Sequence, residues 1–361
     1  MDHVSTNTSV LRPYGVWVVI SPFNFPGALT GGPVGAALAA GNTVVMKPAT
    51  DTPWTARLIA ECLREAGLPD GVFNYVTGAG SSLGQALIDS PDIDGITFTG
   101  SFDVGMKIFR DFGHGKYIRP TILELGGKNA AIVSRHANLE DAAIGITRSA
   151  FGLQGQKCSA CSRVLIEAPV YDQLASRLVE LTNKMVIGDP TERSVYLGPV
   201  VNKAAYRDYQ RFTGELAQAG KILTGGKILT EGKYAKGYFC VPTLAELALD
   251  HHLWQEEMFL PITTIARVES LDQAMQVANQ VNYGLTAGFY GSDSEVEWFQ
   301  ENIEAGVTYA NRPQGATTGA WPGFQPFGGW KGSGSTGKNS GGVHYLQLYM
   351  HEQIRNRVKR D

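Results

Sequence analysis

Thr43-Val44-Val45-Met46-Lys47-Pro48-Ala49-Thr50-Asp51-Thr52-Pro53 decides how this chain is read. The run Thr43–Met46 is β-branched and apolar without alternation, the pattern of a strand buried on both faces. Thr52 is placed as a helix N-cap with Pro53 at the first helical position, Leu58, Ile59, Cys62 and Leu63 share one helical face, and Gly67 follows the end. Working outward, Val16–Ile20, Val72–Val76, Ile96–Phe98 and Thr121–Leu123 repeat the strand pattern, with helix-length amphipathic segments between them. This β/α alternation predicts a parallel, doubly wound sheet that takes ligands at the C-terminal ends of its strands.

From Lys128 a second alternation begins. Ala130–Val133, Val164–Glu167, Thr263–Val268, Ala287–Tyr290 and Gly306–Tyr309 read as strands, and Leu139–Phe151, Val170–Val186 and Leu271–Val281 as helices. A second α/β domain is therefore expected. Residues 328–342 break the pattern with seven glycines among fifteen residues, together with Ser333, Ser335, Thr336 and Ser340. That composition fits a flexible linker or a loop that closes around a ligand. The segment His344–Gln353 alternates weakly, as an arm-like strand or an edge strand would.

Composition narrows the function. Lys and Arg number 31 against 34 Asp and Glu, a net charge of −3, so nothing favours a phosphate backbone as partner. Hydrophobic residues make up 43% of the 361, enough for large buried cores. Glycine, at 43 residues, exceeds the usual share of about 7%, as tight loops around a site require. No apolar run is long enough to span a membrane, and Met1–Val10 lacks the basic and apolar regions of a signal peptide. The four cysteines (Cys62, Cys158, Cys161, Cys240) are too few for a disulfide framework, and a reducing, cytoplasmic setting is expected.

Several short motifs carry chemistry. Cys158, in Gly155-Gln156-Lys157-Cys158-Ser159-Ala160-Cys161, lies beside a lysine that can favour its thiolate, or else it is a packed small residue. Cys158 and Cys161 lack the second pair or spaced histidines of a zinc site, so no metal is expected. Phe98-Thr99-Gly100-Ser101 ends a strand and opens a helix, where free N–H groups can hold a pyrophosphate. Gly78-x-Gly80-x-x-x-Gly84 has one residue too many for the dinucleotide fingerprint. Lys47-Pro48 can anchor a ribose or phosphate, or be solvated. Glu124, at a strand end before Gly126-Gly127, has the placement of a general base, the glycine turn leaving room for substrate. The Asn24 amide, after the first strand, can donate to an oxyanion or cap a turn.

Taken in order, these segments resemble the aldehyde dehydrogenase superfamily. The likeness rests on Ser21-Pro22-Phe23-Asn24-Phe25-Pro26, Gly41–Pro48, Phe98–Ser101, Glu124-Leu125-Gly126-Gly127-Lys128, Gly155–Cys158, Glu256-Glu257-Met258-Phe259 and Pro326-Phe327-Gly328-Gly329. Phe151–Ala160 and the late loop ending Gly341-Gly342-Val343-His344-Tyr345 are similar to the 1-pyrroline-5-carboxylate dehydrogenases, which oxidise L-glutamate γ-semialdehyde to L-glutamate in proline catabolism.

The resemblance implies a Rossmann-type parallel-sheet cofactor domain, a second α/β catalytic domain and a C-terminal oligomerisation strand. It implies domain segments 1–14 (remnant of a linker or oligomerisation segment), 15–126 (cofactor), 127–328 (catalytic) and 329–361 (substrate-anchor loop and oligomerisation strand). Cys158 would attack the aldehyde, the Asn24 amide and the Cys158 N–H would hold the oxyanion, and Glu124 would activate the water that hydrolyses the thioester. NAD contacts are implied for Ser21, Pro22, Phe23, Lys47, Thr50, Thr99, Gly100, Ser101, Leu125, Glu257 and Phe259. Lys157, Ser159 and the N–H groups of Ser333-Gly334-Ser335 would take the substrate carboxylate, with Phe151 and Phe327 flanking its aliphatic chain. The implied assembly is a dimer-based homo-oligomer in the cytoplasm, with no nucleic acid and no membrane span.

Departures from the family pattern add expectations. Thr50 stands where many members carry a glutamate that binds the adenosine ribose; a neutral side chain there removes repulsion against a 2′-phosphate, so NADP is possible while NAD is preferred. Leu260 replaces a usual glycine and is expected to reshape the nicotinamide pocket. Cys161 is expected to pack as a small residue, with an oxidative disulfide to Cys158 as a route to inactivation. The Asn24 motif lies close to the start, so a domain-sized N-terminal portion of roughly a hundred residues is expected to be absent. The alternatives are a dehydrogenase for another aliphatic or aromatic aldehyde, an acylating relative, which Glu124 opposes, and a catalytically inactive fragment.

Overall fold

The computed structural model describes residues 5–313 and 324–358. Residues 1–4 of the Met1–Val10 segment, and 314–323 and 359–361 of the segments 127–328 and 329–361, lie outside the described residues. The chain forms two compact units that divide at Glu124/Leu125. The second unit also takes Phe327–Gly334, and the chain returns to the first at Ser335, so the segment 329–361 is shared.

The first unit contains β1 (Ser5–Pro13), β2 (Val16–Ile20), α1 (Ala28–Ala39), β3 (Thr43–Lys47), α2 (Pro53–Glu65), β4 (Phe73–Tyr75), α3 (Gln85–Asp89), β5 (Gly95–Thr99), α4 (Phe102–Phe112) and β6 (Thr121–Glu124). Its sheet has the order β4-β3-β2-β5-β6 with every pair parallel. Strand order reverses about β2, which makes the C-terminal ends of β2 and β5 a topological switch point, where open α/β sheets bind ligands. The register pairs Ile20 with Lys47 and with Phe98, and Thr99 with Glu124, so Ser21, Lys47, Thr99 and Glu124 come to one edge. Trp17, Val19, Val44, Met46 and Ile122 form the buried core of this unit.

Helix α2 differs from its sequence reading. Thr52 precedes it and Gly67 follows at φ +83°, but the Thr52 hydroxyl donates to Phe23 O at 3.2 Å and caps nothing. On the expected apolar face Leu58 is 42% exposed and Cys62 is exposed; Ala56 is the fully buried residue of the helix. The amphipathic period is real, yet the sheet covers only part of the stripe.

The second unit contains β7 (Asn129–Val133), α5 (Leu139–Phe151), β8 (Cys161–Glu167), α6 (Tyr171–Asn183), α7 (Lys203–Ala219), β9 (Lys221–Thr224), β10 (Ile228–Leu229), β11 (Phe239–Cys240), β12 (Thr243–Glu246), β13 (Ile262–Val268), α8 (Leu271–Asn279), β14 (Tyr283–Gly284), β15 (Thr286–Tyr290), α9 (Asp293–Asn302), β16 (Val307–Ala310) and β17 (Trp330–Lys331). Seven strands in the order β16-β15-β7-β8-β13-β12-β9 build one sheet, parallel except for β9. One hydrophobic cluster includes Ile132, Leu165, Trp254 and Phe289; another includes Val133, Val164, Leu174 and Tyr290. Alternating strand residues thus feed two cores, as a sheet covered on both faces requires. Arg163 is buried in this sheet, its guanidinium donating to Lys128 O, Val277 O and Ala278 O at 2.9–3.1 Å.

The C-terminal strand begins later than the weak alternation of His344–Gln353 suggests. Leu346–Tyr349 forms a short 3₁₀ turn, and β18 (Met350–Val358) pairs antiparallel with β1 from Pro13↔Met350 to Ser5↔Val358. Cross-strand partners share a face, so Leu11 (opposite Glu352), Ile354 and Val358 lie on one side of the ribbon, exposed at 44%, 71% and 56%.

Candidate active site

In the first unit, the loop after β2 turns sharply. Phe25 takes φ +50°, a left-handed conformation that is costly for an aromatic residue, and it directly follows buried Asn24. Ser21 is buried, donates its N–H to Lys47 O at 3.2 Å and accepts the Thr30 hydroxyl at 3.0 Å, fixing where this loop leaves the sheet. Pro22 and Phe23 are half-buried and Thr50 is exposed. The Lys47 side chain is buried, its Nζ donating to Pro48 O at 3.0 Å, and burial lowers its pKa. Gly84 faces Lys47: a Cβ there would lie 3.9 Å from Cε. The near-fingerprint around it forms a π turn, Gly80–Gly84, followed by the five-residue α3. Ser101 stands at the N-cap of α4 with no capping bond from its side chain, and Thr99 and Gly100 are half-buried before it. Helix α4 thus opens directly after the end of β5, the position in which a helix N-terminus can hold an anion.

Glu124 closes β6 half-buried. Desolvation pushes its carboxyl up to about 8, against the opposing hydrogen bonds of the Ser340 hydroxyl and N–H. The hydroxyl donates to Oε1 at 3.3 Å.

In the second unit, the chain approaches Cys158 through three successive left-handed residues, Leu153 (φ +53°), Gln154 (+56°) and Gly155 (+67°). The two non-glycine residues cost roughly 1–2 kcal/mol each. Gly155 has no alternative, since a Cβ would meet Leu260 O at 2.1 Å. Asn129 holds the far side of the loop: its Nδ2 donates to Cys158 O at 2.6 Å and Ala160 O at 2.9 Å, while its Oδ1 accepts the Thr286 N–H at 3.0 Å. Gly127 is packed into the same place, 2.8 Å from Cys158 O at its absent Cβ. The reading of the sequence missed Asn129; its signal was an amide directly after Gly126-Gly127-Lys128. Cys158 itself is half-exposed.

Lys157 is 4% exposed and, among the described residues, its Nζ has no hydrogen-bond partner; burial lowers its pKa to about 8. Ser159 is likewise buried, and its Oγ has no partner among the described residues. Glu257 lies on the glycine turn, its Oε1 accepting the Gly127 N–H at 2.8 Å, and a Cβ on Gly126 would stand 2.2 Å from Oε2. The room made by these glycines is therefore filled by Glu257, not left for substrate. Burial raises this carboxyl to about 7, opposed by the Gly127 N–H and by Lys128. Phe259 follows at φ +53° and is half-buried, and Phe327 is half-buried too.

Four expectations change. Phe151 is 2% exposed inside a core cluster, so it walls no substrate. Ser333 is wholly buried: Leu125 N–H donates to its carbonyl at 3.0 Å, its hydroxyl donates to Gly126 O at 2.6 Å, and its N–H goes to Trp330 O. Ser335 is likewise committed, its N–H to Leu123 O and its hydroxyl to Thr121 O; a Cβ on Gly334, between them, would meet Gly329 O at 2.7 Å. The Ser333-Gly334-Ser335 run therefore fastens the chain to the end of β6 and the start of the second unit, and is not a carboxylate cradle. Leu260 belongs to the hydrophobic core. Cys161 starts β8 with its Sγ 3.6 Å from Arg163 O and its thiol pushed up to about 12 by burial, which disfavours the thiolate that attack on an oxidised Cys158 would need.

Elsewhere, Glu215, His251 and His252 bring donor atoms within 4.8 Å of one another. His251 Nδ1 accepts the Leu253 N–H at 3.3 Å, and its Nε2 lies 3.6 Å from Glu215 Oε1. Among the described residues no helix is long and apolar enough to cross a membrane.

A parallel sheet with a switch point, and a half-exposed cysteine held by a strained loop and an asparagine clamp, define a nucleotide-dependent enzyme of covalent type. Residues 1–354 match the model of the aldehyde dehydrogenase family, and the chain belongs to that family. It is 42% identical over 351 residues to 1-pyrroline-5-carboxylate dehydrogenase of Geobacillus thermodenitrificans (strain NG80-2), covering 96% of this chain and 67% of that one. The Geobacillus kaustophilus (strain HTA426) protein of the same name is 43% identical over the same span. A solved structure of 1-pyrroline-5-carboxylate dehydrogenase from Thermus with bound NAD superposes with a TM-score of 0.94 at 36% identity, covering 99% of this chain and 69% of that one. The chain thus spans about two thirds of the length of these relatives.

Proposed function

We propose that this protein oxidises L-glutamate γ-semialdehyde to L-glutamate with NAD, as a step of proline breakdown. The observation that carries the chemistry is the Cys158 loop, whose carbonyl is fixed by Asn129 and whose approach is locked by Leu153–Gly155. The substrate is supported by the names of the relatives that match nearly the whole chain.

The Cys158 thiolate attacks the aldehyde carbon, and the oxyanion that forms accepts hydrogen bonds from the Asn24 amide and the Cys158 N–H. NAD, when bound, supplies the acceptor for the hydride that leaves this carbon. Glu124 then takes a proton from water as the hydroxide attacks the thioester, and the thiolate departs. Lys157 receives the substrate carboxylate: a buried ammonium without a partner is costly until an anion pairs with it. Ser159 and Phe327 complete the substrate contacts.

The residues fit NAD. Lys47 and Thr50 take the adenosine ribose, the Thr99-Gly100-Ser101 turn and the start of α4 hold the pyrophosphate, Glu257 and Phe259 hold the nicotinamide ribose, and Ser21, Pro22, Phe23 and Leu125 line the remainder. The start of α4 directly after β5 and the Glu257 carboxyl on the Gly126-Gly127 turn support this assignment. NAD is preferred over NADP, which a comparison of kcat/KM for the two decides. We propose further that the protein works in the cytoplasm as a dimer-based homo-oligomer.

The test is semialdehyde-dependent formation of NADH by the purified protein, abolished in Cys158→Ala. Oxidation of simple aliphatic or aromatic aldehydes far faster than glutamate semialdehyde would overturn the substrate assignment while leaving the aldehyde chemistry in place.

A further inference from the structure

The turn that leads into Glu256-Glu257 gathers groups that ligate metals. His251 and His252 stand at the start of a 3₁₀ turn, His252–Trp254, with their rings 4.6 Å apart. Across from them lies Glu215 of α7, whose Oε1 is 3.6 Å from His251 Nε2 and in direct contact with His252 Nε2. Glu256 closes the other side, its Oε2 3.4 Å from His252 Nδ1. The backbones beneath are fixed: Phe212 and Leu216 of α7 and Leu253 and Trp254 of the turn are buried in one core cluster. The donor side chains rise from that core to the surface, Glu215 30%, His251 22% and His252 59% exposed.

A neutral imidazole carries a single N–H. When His252 donates Nδ1–H to Glu256, its Nε2 lone pair is turned on the Glu215 carboxylate, so two acceptors face one another. A cation between them converts that repulsion into two ligand bonds. A ligating imidazole whose second nitrogen is held by a carboxylate is also the arrangement that fixes tautomer and ring orientation at metal centres. His251 Nε2 supplies a third donor. Ligand atoms at about 2.0–2.1 Å from a tetrahedral zinc ion stand roughly 3.3 Å apart. His251 and Glu215 are close to that spacing, and His252 has only to draw back, which its exposed ring allows. His251 gives up its bond from the Leu253 N–H on ligation, since the ring proton then sits on Nδ1; at 3.3 Å that bond is long. The charge suits a dication too: Glu215, Glu256 and Asp208 outnumber Arg211, which lies 3.6 Å from Glu256 and 3.7 Å from Asp208. Two imidazoles with one carboxylate favour zinc over magnesium and calcium, which take oxygen ligands.

We propose that Glu215, His251 and His252 bind zinc, with Glu256 orienting His252 from behind and water in the open fourth position. The bound ion cross-links α7 to the turn that continues into Glu256-Glu257, and a metal that binds only the folded chain stabilises it. The site stands apart from the proposed aldehyde chemistry, in which none of these four residues is assigned a part.

The test is calorimetric titration of the purified full chain, stripped with EDTA, with zinc alone. One ion per chain is expected, its affinity reduced by about tenfold or more in His252→Gln, in Glu215→Gln and in Glu256→Gln. Zinc is expected to raise Tm in the parent and not in His252→Gln or Glu215→Gln, and EDTA to reverse the rise. Melting of the metal-free variants, expected to match the parent because these side chains are exposed, separates lost ligation from lost folding; His251→Gln serves if one of them fails to fold. Cobalt(II) in place of zinc reports the donors, since thiolate ligation adds an intense near-ultraviolet band that nitrogen and oxygen donors do not give. No saturable binding, an affinity unchanged in both His252→Gln and Glu215→Gln, or a single bound ion with a thiolate band that Cys158→Ala removes would each overturn the site.

Discussion

At the scale of single residues, the site depends on groups that are expensive to bury and are retained with their partners supplied or withheld. Asn129 is the satisfied case, with three bonds that pin the Cys158 loop to β7 and β15. Asn129→Ala leaves two carbonyls and one N–H without partners, and is expected to cost about 3 kcal/mol of stability in denaturant unfolding and to lower kcat. Lys157 is the unsatisfied case. Its pKa is depressed to about 8 in the folded protein against an ordinary value near 10.5, so the native state is penalised for its charge below about pH 8 and relieved as pH climbs toward 10.5. Lys157→Met is therefore expected to stabilise the protein by about 2 kcal/mol at pH 7, the gain vanishing by pH 10.5 in urea melts. The same variant is expected to raise the KM for the semialdehyde. In the parent, that KM should climb above pH 8 as the ammonium deprotonates.

At the scale of elements, carbonyl ends are gathered by buried cations. Arg163 ties β8 to the start of β7 and to the end of α8 through three carbonyls. Burial lowers its pKa to about 10, so it is charged at neutral pH and stays in place because those oxygens replace its water. Arg163→Met is expected to destabilise by about 3 kcal/mol or more, since three buried acceptors lose their donor. Thermal unfolding measures this directly. Strands and capped helices were the legible part of the sequence: Leu139–Phe151 is the helix the pattern predicts, and Asn138 caps it with bonds to Glu140 and Asp141 N–H. Helices α7 and α9 were not read, and α1 was read only as a helix-length segment between two strands. In α1, Ala28-Leu29-Thr30-Gly31-Gly32-Pro33 has glycines and a proline that argue against a helix, and only packing against the first sheet overrides them.

At the scale of the molecule, the ribbon of β1 and β18 stands out. A two-stranded ribbon is marginal alone, and this one carries Leu11, Ile354 and Val358 exposed on one face. That asymmetry supports its use in the proposed homo-oligomer. Ile354→Asp is expected to lower the molecular mass seen by sedimentation, and an unchanged oligomer would remove the ribbon from the interface. What the sequence determined by itself was the β/α order and the places of Cys158, Glu124 and Asn24 along it, because hydrophobic period, caps and turn residues act over a few neighbours. Only the tertiary structure decided that Glu257 fills the Gly126-Gly127 turn, that Ser333 and Ser335 fasten the chain at the end of β6, and that Phe151 belongs to a core. Those are contacts between residues as much as 214 positions apart, such as Thr121 and Ser335. Whether a donor is free for a ligand is set by what the fold has already paired it with, and no local pattern records that.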